Sequence, residues 1–222
     1  MRLLTSLSII LFVHSLSWAQ YDSAVESDPA ALKLLKQIKQ KYTSTPAYRI
    51  DFKYDIELPG QATETQKGQL IQSGDNFRLE IADREIISDN ETVWLYLRDM
   101  NEVQINDADF DDSEDFMSPS DVFNLDESKD FVFAVNNYGQ EEGSPITQIE
   151  GKPTDPNSEY SKLRLTLIDK GTQVKRLKIF AKDGSRFTMH LKAVNLAYGI
   201  TEDTFNFDPS QYPDVTVEDL RF

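Results

Sequence analysis

From Tyr48 to Leu58 the chain alternates without a break. Tyr48, Ile50, Phe52, Tyr54, Ile56 and Leu58 occupy one parity, and Arg49, Asp51, Lys53, Asp55 and Glu57 the other. A period of two sends successive side chains to opposite faces of a strand, and a helix of 3.6 residues per turn would scatter both sets. The segment therefore specifies a strand in a sheet that is dry on one face and wet on the other. A face that long and apolar needs something laid over it.

The neighbouring segments extend the sheet. After the Pro59-Gly60 turn come Thr65 to Gln72, a turn at Ser73-Gly74-Asp75-Asn76, and Phe77, Leu79 and Ile81. Ile86-Ile87, Val93 to Leu97 and Val103-Ile105 read as further short strands around the Asp89-Asn90 turn. Phe131 to Val135 resumes strand character. Leu163-Leu165-Leu167, Val174 to Phe180 and Phe187-Met189-Leu191 form a meander joined by turns at Asp169-Lys170-Gly171 and Asp183-Gly184. Two segments read as helices. Asp28-Pro29 is an N-cap followed by proline at the first helical position, with Leu32, Leu35, Ile38 and Tyr42 at helical spacing up to the break at Thr45-Pro46. Ser118-Pro119-Ser120-Asp121 opens a shorter one carrying Val122, Phe123 and Leu125. The expected fold is α+β and mostly β: one antiparallel sheet, curved and incompletely closed, with covering helices at its mouth. An ordinary sandwich core is the competing reading of the same apolar positions.

The N-terminus reads as a targeting segment. Arg2 precedes an apolar run from Leu3 to Val13, too short to span a bilayer, and Ser17-Trp18-Ala19 supplies the small residues of a cleavage site. Residues 1–19 are thus expected to be a signal peptide and residues 20–222 a single domain. The chain has no cysteine, so it has neither a disulfide framework nor the residue that would carry a lipid after Ala19, where Gln20 stands. An exported protein without its own lipid anchor is expected, in the periplasm. The net charge of −15 opposes nucleic acid and anionic headgroups, and the aromatic residues are not interleaved with basic ones.

Catalytic material is sparse. His190 lies on the polar parity of its strand, beside Thr188 and Lys192, where a solvated histidine is the expectation. Without cysteine, nucleophilic triads and histidine-based metal sites have little to draw on. The acidic run Asn106 to Phe116 begins like a calcium loop, with Asp107, Asp109 and Asp111. Asp112 then stands where that loop needs glycine, and Ser118 where it needs glutamate, so a solvated acidic loop is favoured. No enzyme activity, cofactor or metal is expected.

Several segments, in order from Asp28 to Phe222, resemble the LolA family. Asp28-Pro29-Ala30-Ala31 with the following helix looks like its first helix, and Tyr48 to Tyr54 like its next strand. Gly68-Gln69-Leu70 followed by Asn76-Phe77-Arg78-Leu79 looks like its next hairpin. Ile87-Ser88-Asp89-Asn90-Glu91-Thr92-Val93-Trp94-Leu95-Tyr96 is similar to its S-D-G-K-T-L-W-x-Y hairpin, with Asn90 in the glycine place. Asparagine tolerates positive φ better than other non-glycine residues. Ser118 to Phe123 resembles the lid-helix region. Phe205-Asn206-Phe207-Asp208-Pro209 with Val215 to Asp219 matches the C-terminal signature.

The resemblance implies an open, eleven-stranded antiparallel half-barrel whose apolar concave face, covered by helices, receives acyl chains. It implies a soluble carrier that accepts outer-membrane lipoproteins from an inner-membrane ABC transporter and hands them to an outer-membrane acceptor. Such a carrier is expected to act as a monomer. A lipid- or glycolipid-binding module, or a lipoprotein sensor, is the alternative on the same fold. The expected lipid-binding residues are Ile50, Phe52, Tyr54, Phe77, Leu79 and Ile81, with Trp94 and Tyr96 included while the parity facing the cavity stays open. Leu32, Leu35, Ile38, Val122 and Phe123 are the expected lid. One departure stands out: family members carry an arginine shortly after the glycine matching Gly68, and Leu70 to Asn76 contains none.

Overall fold

A computed structural model describes residues 26–107, 122–201 and 203–221. The proposed signal peptide lies outside the described residues, as do the acidic run beyond Asp107 and the Ser118 to Asp121 cap.

The alternating segments become strands β1 (Tyr48–Glu57), β2 (Glu64–Ser73), β3 (Asn76–Ile81), β4 (Arg84–Ser88), β5 (Thr92–Leu97) and β6 (Glu102–Asp107). They continue as β7 (Phe131–Glu141), β8 (Ser144–Pro153), β9 (Tyr160–Ile168), β10 (Gln173–Ala181), β11 (Arg186–Asn195) and β12 (Thr216–Asp219). All belong to one 12-stranded sheet in the order β12-β6-β5-β4-β3-β2-β1-β11-β10-β9-β8-β7. β7 and β12 are the two edges, so the sheet is open. This exceeds the eleven strands that the resemblance implied. The addition is β12, which runs parallel to β6 with Thr216 opposite Glu102 and Asp219 opposite Ile105. Every other pairing is antiparallel.

Helix α1 (Pro29–Thr43) starts as the sequence predicts, and its cap also has a tertiary role. Asp28 Oδ1 accepts from the Ala30 N–H at 2.8 Å. The Asp28 N–H donates to the Phe133 carbonyl at 2.7 Å, while the N–H groups of Phe133 and Val135 donate to Ser27 Oγ and Asp28 Oδ2. The two residues before the helix thus cover part of edge strand β7, which would otherwise present unpaired backbone groups. The β4–β5 turn also follows expectation. Asn90 adopts φ 72°, and Asp89 Oδ1 accepts from the N–H groups of Glu91 and Thr92.

Candidate functional site

The register lays out the face that α1 covers as unbroken apolar rows across the strands. In one, Ile50 stands beside Leu70, then Leu79, Ile86 and Leu95. In another, Tyr54 is followed by Met189, Leu177, Leu165, Ile149 and Val135. The first row ends at β6, where Gln104 stands opposite Leu95. At two places the face is kept flat by a glycine. A Cβ on Gly68 would lie 2.3 Å from the Phe52 ring, and one on Gly151 would lie 2.7 Å from the Phe133 ring. Each phenylalanine therefore lies over the glycine of the adjacent strand.

Above this face α1 presents Ala31, Leu35, Ile38 and Tyr42, all buried. Tyr42 stacks on Phe123 with ring centroids 3.7 Å apart, and Tyr48 meets both rings edge-on at 5.6 and 6.1 Å. Val122 and Phe123 are helical, and Leu125 begins a 3-10 turn (Leu125–Glu127); all three are buried in the same cluster. A polar tie joins the two parts of the cover. Lys39 Nζ lies 2.5 Å from Glu127 Oε1, and this hydrogen bond holds the ammonium more basic than an ordinary lysine. The Tyr48 hydroxyl donates to Gln72 Oε1 at 2.5 Å, within the stretch where the family's arginine is missing. Burial pushes the Tyr42 and Tyr54 phenols up to about 12 and raises Tyr48 as well, so all three stay neutral.

Ile50, Phe52, Tyr54, Leu79 and Ile81 join Leu35, Ile38, Val122 and Phe123 in one buried cluster, with half-buried Phe77 packed against it. Other apolar side chains at its margin are also incompletely covered, among them Ile56, Ile86, Phe131, Tyr160, Phe187 and Leu191. Three expectations need correction. Leu32 is 37% exposed because the buried stripe runs 31-35-38-42. At 100° per residue, Leu32 falls about 90° from the middle of that stripe. Trp94 and Tyr96 lie on the opposite face, since Trp94 pairs with Ile87 while Leu95 pairs with Ile86. They belong to a second cluster with Ile87, Val103, Phe207, Tyr212 and Val215. The reading of the first strands also passed over half of the covered face, which β7 to β11 supply. The signal for it is the alternation 163-165-167 and 187-189-191, which matches that of β1.

The wet face carries ion pairs. Glu150 meets Lys162 and Arg164, Glu141 meets Lys175 and Arg176, and Lys178 meets Glu57. His190 departs from the solvated reading: it is half-buried, with Nε2 3.2 Å from Asp55 Oδ2. Among the described residues no group of acids and histidines could hold a metal ion. Every described carboxylate with a shifted proton affinity is shifted down. Arg176 and Lys175 hold Glu141 at about 2, and Arg221 does the same for Asp219. No helix among the described residues is long and apolar enough to cross a membrane.

Solved structures similar to the chain span most of its length. An uncharacterized conserved protein from Thermus thermophilus superposes with a TM-score of 0.56 at 10% identity, over 84% of this chain and 97% of that one. A LolA superfamily protein from Nitrosomonas europaea gives 0.44 at 10% identity, over 80% and 98%. A putative outer membrane lipoprotein-sorting protein domain from Vibrio parahaemolyticus gives 0.45 at 13%, over 80% and 96%. No curated protein matches the chain in sequence. The profile of the family described as outer membrane lipoprotein carrier protein LolA matches residues 43–208, most of the chain, and the chain belongs to the LolA family.

Proposed function

We propose that this chain is a periplasmic carrier that shields lipoprotein acyl chains between α1 and the sheet. In this reading it takes them from an inner-membrane ABC transporter and delivers them to an outer-membrane acceptor, without catalysing a reaction. The observation that carries the reading is the imbalance on the covered face. Among the described residues a continuous apolar surface from β5 to β7 lies under one long helix and the short segment Val122 to Glu127, and its margin is only half-buried. An ordinary core would be closed over that margin.

The energetics favour partial shielding. Burying one ~16-carbon chain contributes on the order of 12 kcal/mol if it is fully dried, and two or three such chains would make release very slow. A cover that packs Leu35, Ile38 and Phe123 onto the empty sheet offsets part of that gain, because lipid must displace it. Half-buried Phe77 lies where added charge would oppose an acyl chain while disturbing the empty protein little.

Depletion followed by membrane fractionation tests the role, with lipoproteins expected to accumulate at the inner membrane. Complementation with Phe77→Glu is expected to fail while the variant protein remains folded. Normal lipoprotein delivery in depleted cells would remove the carrier reading. Native mass spectrometry of the purified protein separates the alternatives. Acylated protein bound to the chain supports carriage, and free lipid or glycolipid alone would make it a binding module on the same fold.

A further inference from the structure

A pocket of about 450 Å³ is lined by Lys53, Lys67, Lys192 and Arg98 with Asp51 and Glu80, all on the strand parity opposite the covered face or in the adjoining turns, and by Phe52 and Ile81 of the covered rows. Two features of the backbone bring these cations together. Lys53 and Lys67 stand directly opposite on β1 and β2, a like-charge cross-strand pair that weakens a sheet. The register between β1 and β11 shifts at Asp51/Phe52, so that Ala193 faces Asp51, Leu191 faces Phe52, and Lys192 is the unpaired residue of a bulge. A bulge re-aims a side chain, and here it adds a third ammonium to the face that already holds Lys53.

The acids near the pocket are already engaged. Asp51 is taken by Arg49 at 2.9 Å, Glu80 by Arg98 at 3.2 Å, and Lys53 by Asp55 at 2.9 Å. Lys67 and Lys192 are exposed, and among the described residues neither has a carboxylate partner. Two positive charges are therefore left over beside a concavity, in a chain whose net charge is −15. His190, next to Lys53 across β1 and β11, senses this environment. Burial lowers its proton affinity, Asp55 raises it, and Lys192, Lys53 and Arg176 lower it further.

We propose that this pocket binds a phosphate group, with Lys67 and Lys192 as its principal partners and Arg98 closing one side. Lysines bind phosphate as mobile point charges, and two uncompensated ammonium groups match the charge of a phosphate monoester. The ligand is a phosphate ester, whether a small soluble molecule or the headgroup of a lipid. The assignment is independent of what the covered face carries.

The test follows the His190 ring resonances by NMR while inorganic phosphate or glycerol 3-phosphate is added, with sodium chloride at equal ionic strength as the control. A saturable shift and a rise in the His190 pKa are expected with the phosphates only. Binding should weaken at least tenfold in Lys67→Gln/Lys192→Gln, two exposed substitutions that leave the fold intact. Sedimentation with vesicles of phosphatidylcholine with or without phosphatidic acid, whose headgroup is a phosphate monoester, separates the sources. Binding to the anionic vesicles alone, lost in the double variant, assigns a headgroup. A response to soluble phosphate without vesicle binding assigns a small ester. A shift that chloride reproduces, or undiminished binding by the double variant, overturns the proposal.

Discussion

The molecule contains two apolar clusters on opposite faces of one sheet, and they are closed in different ways. Behind β4 to β6, Tyr96, Phe207 and Tyr212 pack with centroids 4.5 to 5.5 Å apart. The segment that brings Phe207 and Tyr212 there is held by backbone bonds. Thr216 donates to Asn101, Leu220 donates to Ile105, and β12 joins the ladder. Beneath it Glu85, only 3% exposed, is paired with Arg78 and Arg98. The α1 side is larger, yet among the described residues α1 is hydrogen-bonded to the sheet's backbone only through Ser27 and Asp28 at its start. One cluster is sealed by the chain's own ladder. The other is covered by a helix that takes no part in strand pairing. A strand pattern records that both faces are apolar at these places and does not record how each is closed.

The sharpest way to break the comparison is to open the sealed side. Phe207 is 4% exposed among aromatic neighbours. Phe207→Ala should cost about 3–5 kcal/mol, the range for truncating a buried phenylalanine. The measurement is the urea midpoint at an unchanged m-value, with acyl-chain capture unaffected in the folded fraction. A loss below about 1 kcal/mol would mean that this cluster is as loosely closed as the other. On the covered side a smaller effect is expected from Gly68→Ala. The new methyl would meet the Phe52 ring at 2.3 Å and the Glu80 carbonyl oxygen at 2.7 Å. Overpacking of this kind costs about 1–3 kcal/mol, and adding Phe52→Leu should recover part of it. No recovery would show that the Glu80 backbone, rather than the ring, sets the limit.

Much of this was legible in the residues. The alternation at Tyr48 to Glu57 fixed which side of β1 is dry, and Asp28-Pro29 fixed the start of α1. What local pattern could not supply was long-range. Val93, Trp94, Leu95 and Tyr96 are apolar on both parities, so nothing in β5 tells which parity meets α1. The answer comes from Ile86 and Ile87, which are themselves both apolar, and from where Phe207 and Tyr212 return. Leu32 was misread for a related reason. Ala31 lies within about 10° of the middle of the stripe at 100° per residue, but a small alanine is a weaker apolar signal than the leucine beside it. The glycine-under-phenylalanine contacts depend on register, which Gly68 and Phe52 do not reveal alone.

The smallest expected effect bears most directly on whether α1 moves. Among the described residues the buried Tyr42 hydroxyl has no hydrogen-bond partner, whereas that of Tyr48, whose ring meets the Tyr42 ring, donates to Gln72. Removing an unsatisfied buried polar group relieves a desolvation cost, and removing a satisfied one leaves its partner stranded. Tyr42→Phe should therefore leave stability unchanged or raise it by up to about 1 kcal/mol, while Tyr48→Phe should lower it by about 1 kcal/mol. If acyl chains displace α1, as proposed above, the Tyr42 hydroxyl is hydrated in the loaded protein and dry in the empty one. Tyr42→Phe would then favour the empty state and weaken lipid capture by up to about fivefold, the equivalent of that same 1 kcal/mol. Higher stability in urea with undiminished capture would show that α1 stays in place on loading, and the covered face would then be as closed as the face behind β5.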